Sequence, residues 1–188
     1  GKKEVRTYET EKTDEAIYAK VGIPYIIPEM REGEFEFDWI KKHNNDQLVT
    51  WDSLKGILHN HSTYSDGKNT LAEMANYCRE LGFEYLGIAD HSKTASYARG
   101  LNEVRVAEQH VEIDQLNAQY ALGDKPFKIL KGIESDILGD GSLDYEEEVL
   151  KSFDYIVASV HQNLKMTEEK AAALIMAARN IVWFSEEN

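Results

Sequence analysis

The chain lacks the features of an oxidised or membrane-bound protein. Cys78 is the single cysteine among 188 residues, which excludes an internal disulfide and favours a reducing compartment. The longest apolar run, residues 171–178, is far shorter than the ~20 residues that cross a bilayer. No apolar signal segment opens the chain. We therefore expect a cytoplasmic protein with no membrane partner.

Basic residues are also scarce, since 21 Lys and Arg stand against 34 Asp and Glu and give a net charge of −13. A surface this acidic is not built to grip a nucleic-acid backbone by charge alone. It does not exclude a phosphate-bearing substrate, because bound divalent cations reverse the local sign of the charge. If the protein handles phosphate, we expect it to do so through metal ions.

The sequence changes character near residue 55. Residues 1–54 are irregular, with a short helix predicted over 14–21 after the N-cap Thr13, and then a proline-containing extended stretch. From residue 55 onward, short β-type runs alternate with helical patterns, which predicts an α/β fold with parallel strands. The β-type runs are 55–61, 85–91, 127–137 and 155–161, with 181–184 as a candidate fifth strand. We predict two domains, residues 1–54 and 55–188.

Chemically capable side chains follow each of the four predicted strands. Ligands bind at the carboxyl edge of a parallel α/β sheet or barrel, so these side chains are expected to share a site. They are His59, His61, Asp66, Asp90, His91, Glu134, Asp136 and His161.

Imidazole and carboxylate without thiolate suit Zn²⁺, Mn²⁺ or Fe²⁺. His59 and His61 are two apart on a strand, so both rings should leave the same face. Glu134 is placed to bridge two cations, and a metal-activated water would be the nucleophile. Singly each signal is weak: an H-x-H pair is more often hydrogen-bonded than metal-bound, and Asp66 alone is an ordinary turn residue. Four successive strands ending in His or Glu favour the metal interpretation.

Several other side chains have an ordinary structural interpretation. Cys78 lies on the apolar face of its predicted helix and should be buried. His110 flanks the apolar stripe of its helix and is expected at the surface. Lys93, Arg99 and Lys165 follow strand ends, where a phosphate-binding role and a solvent-facing role are about equally supported.

Four motifs, HNHSTYSDG (59–67), ADH (89–91), GIES (132–135) and SVH (159–161), resemble those of the PHP family, the polymerase and histidinol phosphatase domains. The likeness is greatest to the PHP domain of bacterial family-X DNA polymerases. Residues 14–32 resemble the end of the polymerase thumb that precedes this domain. Together the resemblance covers nearly all of residues 8–170.

The resemblance implies a distorted TIM-like (β/α)₇ barrel that holds up to three divalent metal ions, Mn or Zn with Fe as a further option. By position, His59 and His61 would bind the first ion and Glu134 would bridge it to a second, which His161 would ligate. Asp66 and His91 would ligate the third. Glu134, His161 and Asp66 are the expected catalytic residues, with Arg99 and Lys165 as candidate substrate contacts.

Two departures from the family pattern stand out. The family's later ligand motifs, Gly-His-Pro and Asp-x-His, do not occur after His161, so each predicted site would lack one ligand. Residues 55–188 also suffice for only four or five strands of the barrel. We expect a fragment, or one part of an assembly, whose open barrel edge favours self-association.

Three functions follow from the resemblance. The first is a 3′→5′ exonuclease or end-processing module of a repair polymerase, with DNA ends as substrate and the polymerase domains of the parent protein as partners. The second is a phosphomonoesterase of the histidinol-phosphatase kind. The third is a catalytically incomplete structural or interaction module.

Overall fold

Four stretches of chain supply the β-strands of the described residues. The computed structural model describes residues 11–161 and 165–179. The strands are Gly56–Asn60 (β1), Tyr85–Ile88 (β2), Asp90–His91 (β3), Lys128–Leu130 (β4), Gly132–Asp136 (β5) and Tyr155–Ser159 (β6). Only Ala89 separates β2 from β3, and only Lys131 separates β4 from β5. Each of the four predicted β-type runs therefore contains strand, while the candidate strand 181–184 lies outside the described residues.

All strand pairings are parallel, as the alternating pattern predicts. One sheet has the order β1-β2-β4 and the other the order β3-β5-β6. Because β2 and β3 belong to one stretch and β4 and β5 to the next, the four stretches neighbour one another in chain order. That order is the one found in the wall of a (β/α) barrel. Within the described ranges the fold is α/β with parallel strands, and these strands do not close a barrel.

Helices precede, separate and follow the strand stretches within the described residues. They are Asp14–Lys20 (α1), Glu36–Trp39 (α2), Leu71–Glu80 (α3), Glu103–Tyr120 (α4), Glu147–Leu150 (α5) and Glu168–Arg179 (α6). A capping box is present at the start of α3: the Thr70 side chain accepts from the Glu73 N–H, and the Glu73 carboxylate accepts from the Thr70 N–H. α3 packs against β2 and α4 against β4. The helices thereby cover the apolar side chains of the sheet.

The core lies between these helices and the strands. One buried cluster joins α3, β2, α4 and β4, with Leu86 and Ile129 fully buried at its centre. Cys78 belongs to this cluster and is 2% exposed, so its expected burial is confirmed. A second cluster surrounds Ile133 on β5. Apolar side chains packed around the strands therefore support the strand ends where the polar residues lie.

Contacts divide the chain into two units, Gly1–Ser53 and Leu54–Asn188. In the first unit, Thr13 caps α1 by accepting from the Ala16 N–H at 3.3 Å, as the sequence predicts. The Arg31 guanidinium donates to Asp14 at 2.8 Å and lies over the ring of Tyr18. This unit is a small structure with its own internal contacts.

His110 departs from its expected surface position. Its ring is half-buried on α4 and meets the ring of Phe153 edge-on at 4.9 Å. Within the described part of the chain its Nε2 atom has no hydrogen-bond partner. The expectation was wrong because Phe153, which lies after α5, covers the ring, and the pattern of the helix does not include that contact.

None of the described helices is both long and apolar enough to span a membrane.

Candidate metal centre

A β-bulge sets the position of His59. Ile57 pairs with Leu86 but Asn60 pairs with Ile88, so β1 carries one extra residue between these pairs. His59 sits in this bulge with a left-handed φ of 62°, and its N–H faces the hydroxyl of Tyr155 at 3.3 Å. The two rings of His59 and His61 are stacked with centroids 5.6 Å apart. They converge as expected, but the bulge rather than regular strand alternation brings them together.

Glu134 lies at the centre of the cluster. Its Oε1 is 3.4 Å from His59 Nε2 and 3.2 Å from His161 Nε2. Its Oε2 is 3.4 Å from His61 Nε2 and 3.1 Å from His91 Nδ1. A single buried carboxylate on β5 therefore faces four imidazoles that come from three other strand stretches.

The environment of Glu134 favours its ionised form. Burial acts to raise the pKa of this carboxyl, but the hydrogen bond donated by the Ser159 hydroxyl at 2.8 Å and the nearby histidines outweigh it. The net pKa is lowered, so the carboxylate is charged at neutral pH. An ionised carboxylate among imidazoles is the donor set that a divalent cation requires.

Asp66 reaches the same cluster from the loop after β1. Its Oδ1 is 3.1 Å from His61 Nδ1 and its Oδ2 is 3.7 Å from His91 Nε2. Burial opposes ionisation, but the His61 hydrogen bond and the charges of both histidines lower the pKa of Asp66. For His91, burial and the neighbouring His61 lower the pKa and favour the neutral ring that ligates metal.

Asp136 orients His161 from the side away from Glu134. His161 Nδ1 is 2.5 Å from Asp136 Oδ1, while Asp136 Oδ2 accepts from the Thr94 hydroxyl at 2.7 Å. Burial acts to lower the pKa of His161, but Asp136 and Glu134 together raise it. A carboxylate on the far nitrogen of a ligating histidine fixes which nitrogen faces the ion.

The loop between β1 and α3 is anchored to a buried carboxylate. Asp90 is fully buried and accepts from the N–H and hydroxyl of Ser62, at 2.7 Å and 2.6 Å. It also accepts from the Ser65 N–H at 3.3 Å, from the Ser65 hydroxyl, and from Gln109 Nε2 at 2.6 Å. Asp90 therefore satisfies backbone and side-chain donors and holds the loop that carries Asp66.

The donor set fits divalent metal ions. Three groups of ligand atoms each lie within 4.8 Å of one another. Neighbouring groups share a residue, as expected for ions that share ligands. They are His59–His61–Glu134, His61–Asp66–His91 and His91–Glu134–His161. In the described part of the chain, the buried His91 Nδ1 has no partner in hydrogen-bond geometry although Glu134 is near, and an ion would satisfy it.

The six predicted ligands therefore meet in one cluster, whereas the two candidate substrate contacts do not join it. The Arg99 guanidinium donates to the carbonyls of Thr63 and Ser65 and thereby braces the loop. Lys165 is exposed beside Thr167 and Lys170, outside the three ligand groups. The substrate-binding roles expected for Arg99 and Lys165 therefore stay predictions.

The contacts of two neighbours of the cluster were not predicted from the sequence. Asp136 was expected at the shared edge, and its spacing of two from Glu134 places both on one face of β5, but its contact with the ring of His161 was not predicted. Tyr97 carried no sequence signal, yet its ring lies edge-on to His91 with centroids 6.0 Å apart.

The comparisons with known proteins agree with this chemistry. The family described as the PHP domain matches residues 58–181. The DNA polymerase/3′-5′ exonuclease PolX of Bacillus subtilis is 40% identical over 165 residues, 88% of this chain and 27% of its own length. A probable phosphatase of Acetivibrio thermocellus is 31% identical over 137 residues, 68% of this chain and 52% of its own.

Among solved structures, a histidinol phosphate phosphatase from Lactococcus lactis, crystallised with zinc, L-histidinol and phosphate, is 26% identical. It matches with a TM-score of 0.44 over 62% of this chain and 48% of its own. The chain thus spans about a quarter of PolX and about half of the curated phosphatase.

Proposed function

Because the chain belongs to the PHP domain family, we propose that it is a metal-dependent phosphoesterase module that hydrolyses phosphodiesters at DNA ends. The observation that carries this proposal is the convergence of four imidazoles and Asp66 on and beside the buried carboxylate of Glu134. The fold we propose for the complete domain is the distorted (β/α)₇ barrel of the family, of which the four parallel stretches form one part.

We assign the six candidate ligands to three ions. We assign His59, His61 and Glu134 to the first, Glu134 and His161 to the second, and Asp66 and His91 to the third, in Mn²⁺ or Zn²⁺ form. Bound ions of this kind acidify a water and offset the negative charge of a phosphoester. Glu134 supplies the shared negative charge, and Asp136 keeps the Nε2 atom of His161 directed at Glu134.

DNA is the substrate that the relatives favour. Residues 55–188 number 134, so an alignment with PolX over 165 residues must extend into the first 54 residues. A free-standing phosphatase would have no use for that segment. We therefore propose that the chain works beside polymerase domains in the cytoplasm, where it removes nucleotides from 3′ ends.

The test is hydrolysis of a 3′-labelled single strand by the Mn²⁺-loaded chain. We expect release of the labelled 3′-terminal nucleotide, and we expect chelation of the metal to stop this release. Glu134→Gln should remove both activity and bound metal, because it replaces a charged ligand that faces four histidines. Glu80→Gln, at an exposed position on α3, is the matched control and should change neither. An untouched strand with a fully loaded protein would refute the proposal.

A phosphomonoesterase is the second candidate, favoured by the identity to the probable phosphatase of Acetivibrio thermocellus. The same ions would then act on a small phosphomonoester. Turnover of p-nitrophenyl phosphate compared with that of the labelled strand separates the two functions. Elemental analysis with less than one tightly held metal ion per chain would instead favour a structural module.

A further inference from the structure

Tyr97 is an exposed aromatic residue at the rim of the metal cluster. The residue lies in a single 3₁₀ turn, Ser96–Ala98, and is 67% exposed. Its ring makes an interplanar angle of 61° with the ring of the ligand candidate His91. A large aromatic surface is thus left in solvent beside the place where a phosphoester would be held.

The loop that carries Tyr97 is held firmly on both sides. Ala95 and Ala98, which flank the exposed ring, are 0% and 2% exposed. The Leu101 N–H donates to the His91 carbonyl at 2.8 Å, and the Thr94 N–H donates to Asp144 at 2.7 Å. A rigid loop that still exposes an aromatic ring suits a binding surface, because little conformational entropy is lost on binding.

The basic side chains near this loop are already engaged by the protein. Lys93 pairs with Glu103 at 2.7 Å, Arg99 donates to loop carbonyls, and Arg105 donates to the Arg99 carbonyl at 2.7 Å. If the metal ions bind the phosphate, contacts with the base are the further source of affinity for a nucleotide. Aromatic stacking supplies such affinity for any base sequence.

We propose that Tyr97 stacks on the base of the nucleotide at the DNA end and so makes the site selective for strands with an unpaired terminal base. This inference rests on the proposed DNA-end function and adds the part of the substrate that is recognised. Tyr97 acts on the base rather than on the reacting phosphate, so its effect should depend on whether a base is present.

Binding is the direct test, because it does not depend on turnover. The Mn²⁺-loaded chain is titrated with two single strands whose last linkage is a phosphorothioate, one ending in a normal nucleotide and the other in an abasic deoxyribose. Tyr97→Ala should weaken binding of the base-bearing strand by about 5-fold or more and leave the abasic strand unchanged. Tyr97→Phe should bind as the wild type does, because it keeps the ring.

Tyr77→Ala is the matched control, since Tyr77 is 62% exposed on α3 and this helix contributes no residue to the three ligand groups. It should bind both strands as the wild type does. Metal content must be equal in all variants, which shows that the ions are undisturbed. Equal weakening on both strands, or none on either, would overturn the role of Tyr97. Failure of the loaded wild-type chain to hydrolyse any strand would instead overturn the proposed function, so the two failures are distinguishable.

Discussion

Replacing Asp90 should separate the stability of the metal-site loop from the metal ligands themselves. The buried carboxylate accepts from Ser62, Ser65 and Gln109, and none of these four side chains reaches solvent. Asp90→Ala leaves two buried N–H donors, the Ser62 backbone N–H and the Gln109 side-chain NH₂, without their acceptor, whereas the Ser65 N–H keeps the Ser62 carbonyl at 3.1 Å. At about 1–3 kcal/mol for each buried unsatisfied donor, the free energy of unfolding should fall by about 2–6 kcal/mol.

Asp90→Asn should cost less, for a reason visible in the structure. The amide oxygen can still accept from the backbone donors, and its NH₂ group needs a new acceptor. Gln109 Oε1 is buried and has no hydrogen-bond partner in the described ranges, so rotation of the Gln109 amide would provide one. The variant still loses a charged acceptor, so its free energy of unfolding should fall by about 1–2 kcal/mol.

Urea unfolding of the metal-free chain measures both variants, with Asp124→Ala as a control at an exposed aspartate. Stability should decrease in the order wild type, Asp90→Asn, Asp90→Ala. Metal affinity of Asp90→Asn should fall by about tenfold or more, because the loop carries Asp66. If Asp90→Ala unfolds at the same urea concentration as the wild type, the carboxylate does not anchor the loop and this reasoning is refuted.

Three further predictions concern other parts of the molecule. Thr70→Ala should destabilise the chain by about 1 kcal/mol in urea unfolding, because it removes half of the capping box with Glu73; an unchanged midpoint would contradict this. Burial lowers the pKa of His110, so the unfolded chain takes up this proton first and stability falls as pH drops below about 6.5. In His110→Phe that part of the fall should disappear, and identical pH–stability curves would exclude it. Asp136→Asn should lower the pKa of His161 in an NMR titration of the metal-free chain, since Asp136 raises it; a pKa that does not move would show that Asp136 does not act on the ring.

Hydrophobic periodicity was sufficient to predict the larger elements. The helical patterns between the β-type runs predict α3 and α4, and the four β-type runs contain all the described strands. These predictions succeed because burial on one face of a helix or strand is a local property of the sequence. The approximate ends of the strands were predictable for the same reason. Their common edge was predictable because strands that alternate with helices run parallel.

The details that aim the side chains were not local and were not predicted. The bulge at His59 exists only in relation to β2, because one extra residue of β1 lies opposite that strand. The breaks at Ala89 and Lys131 depend on which sheet each half of the stretch joins. His110 was misplaced because its burial against Phe153 joins parts of the chain that the helical pattern does not connect.

The distribution of charge indicates how the proposed phosphoesterase would bind phosphate although the chain is acidic. The guanidiniums of Arg99 and Arg105 donate to backbone carbonyls around the loop of Asp66, so they stabilise the shape of the site instead of attracting substrate. The pKa values of the Asp66 and Glu134 carboxyls are lowered, so both stay ionised in the cluster. Under the proposed function, recognition of phosphate would therefore depend on metal loading, because a chain with a net charge of −13 has little positive charge with which to hold DNA.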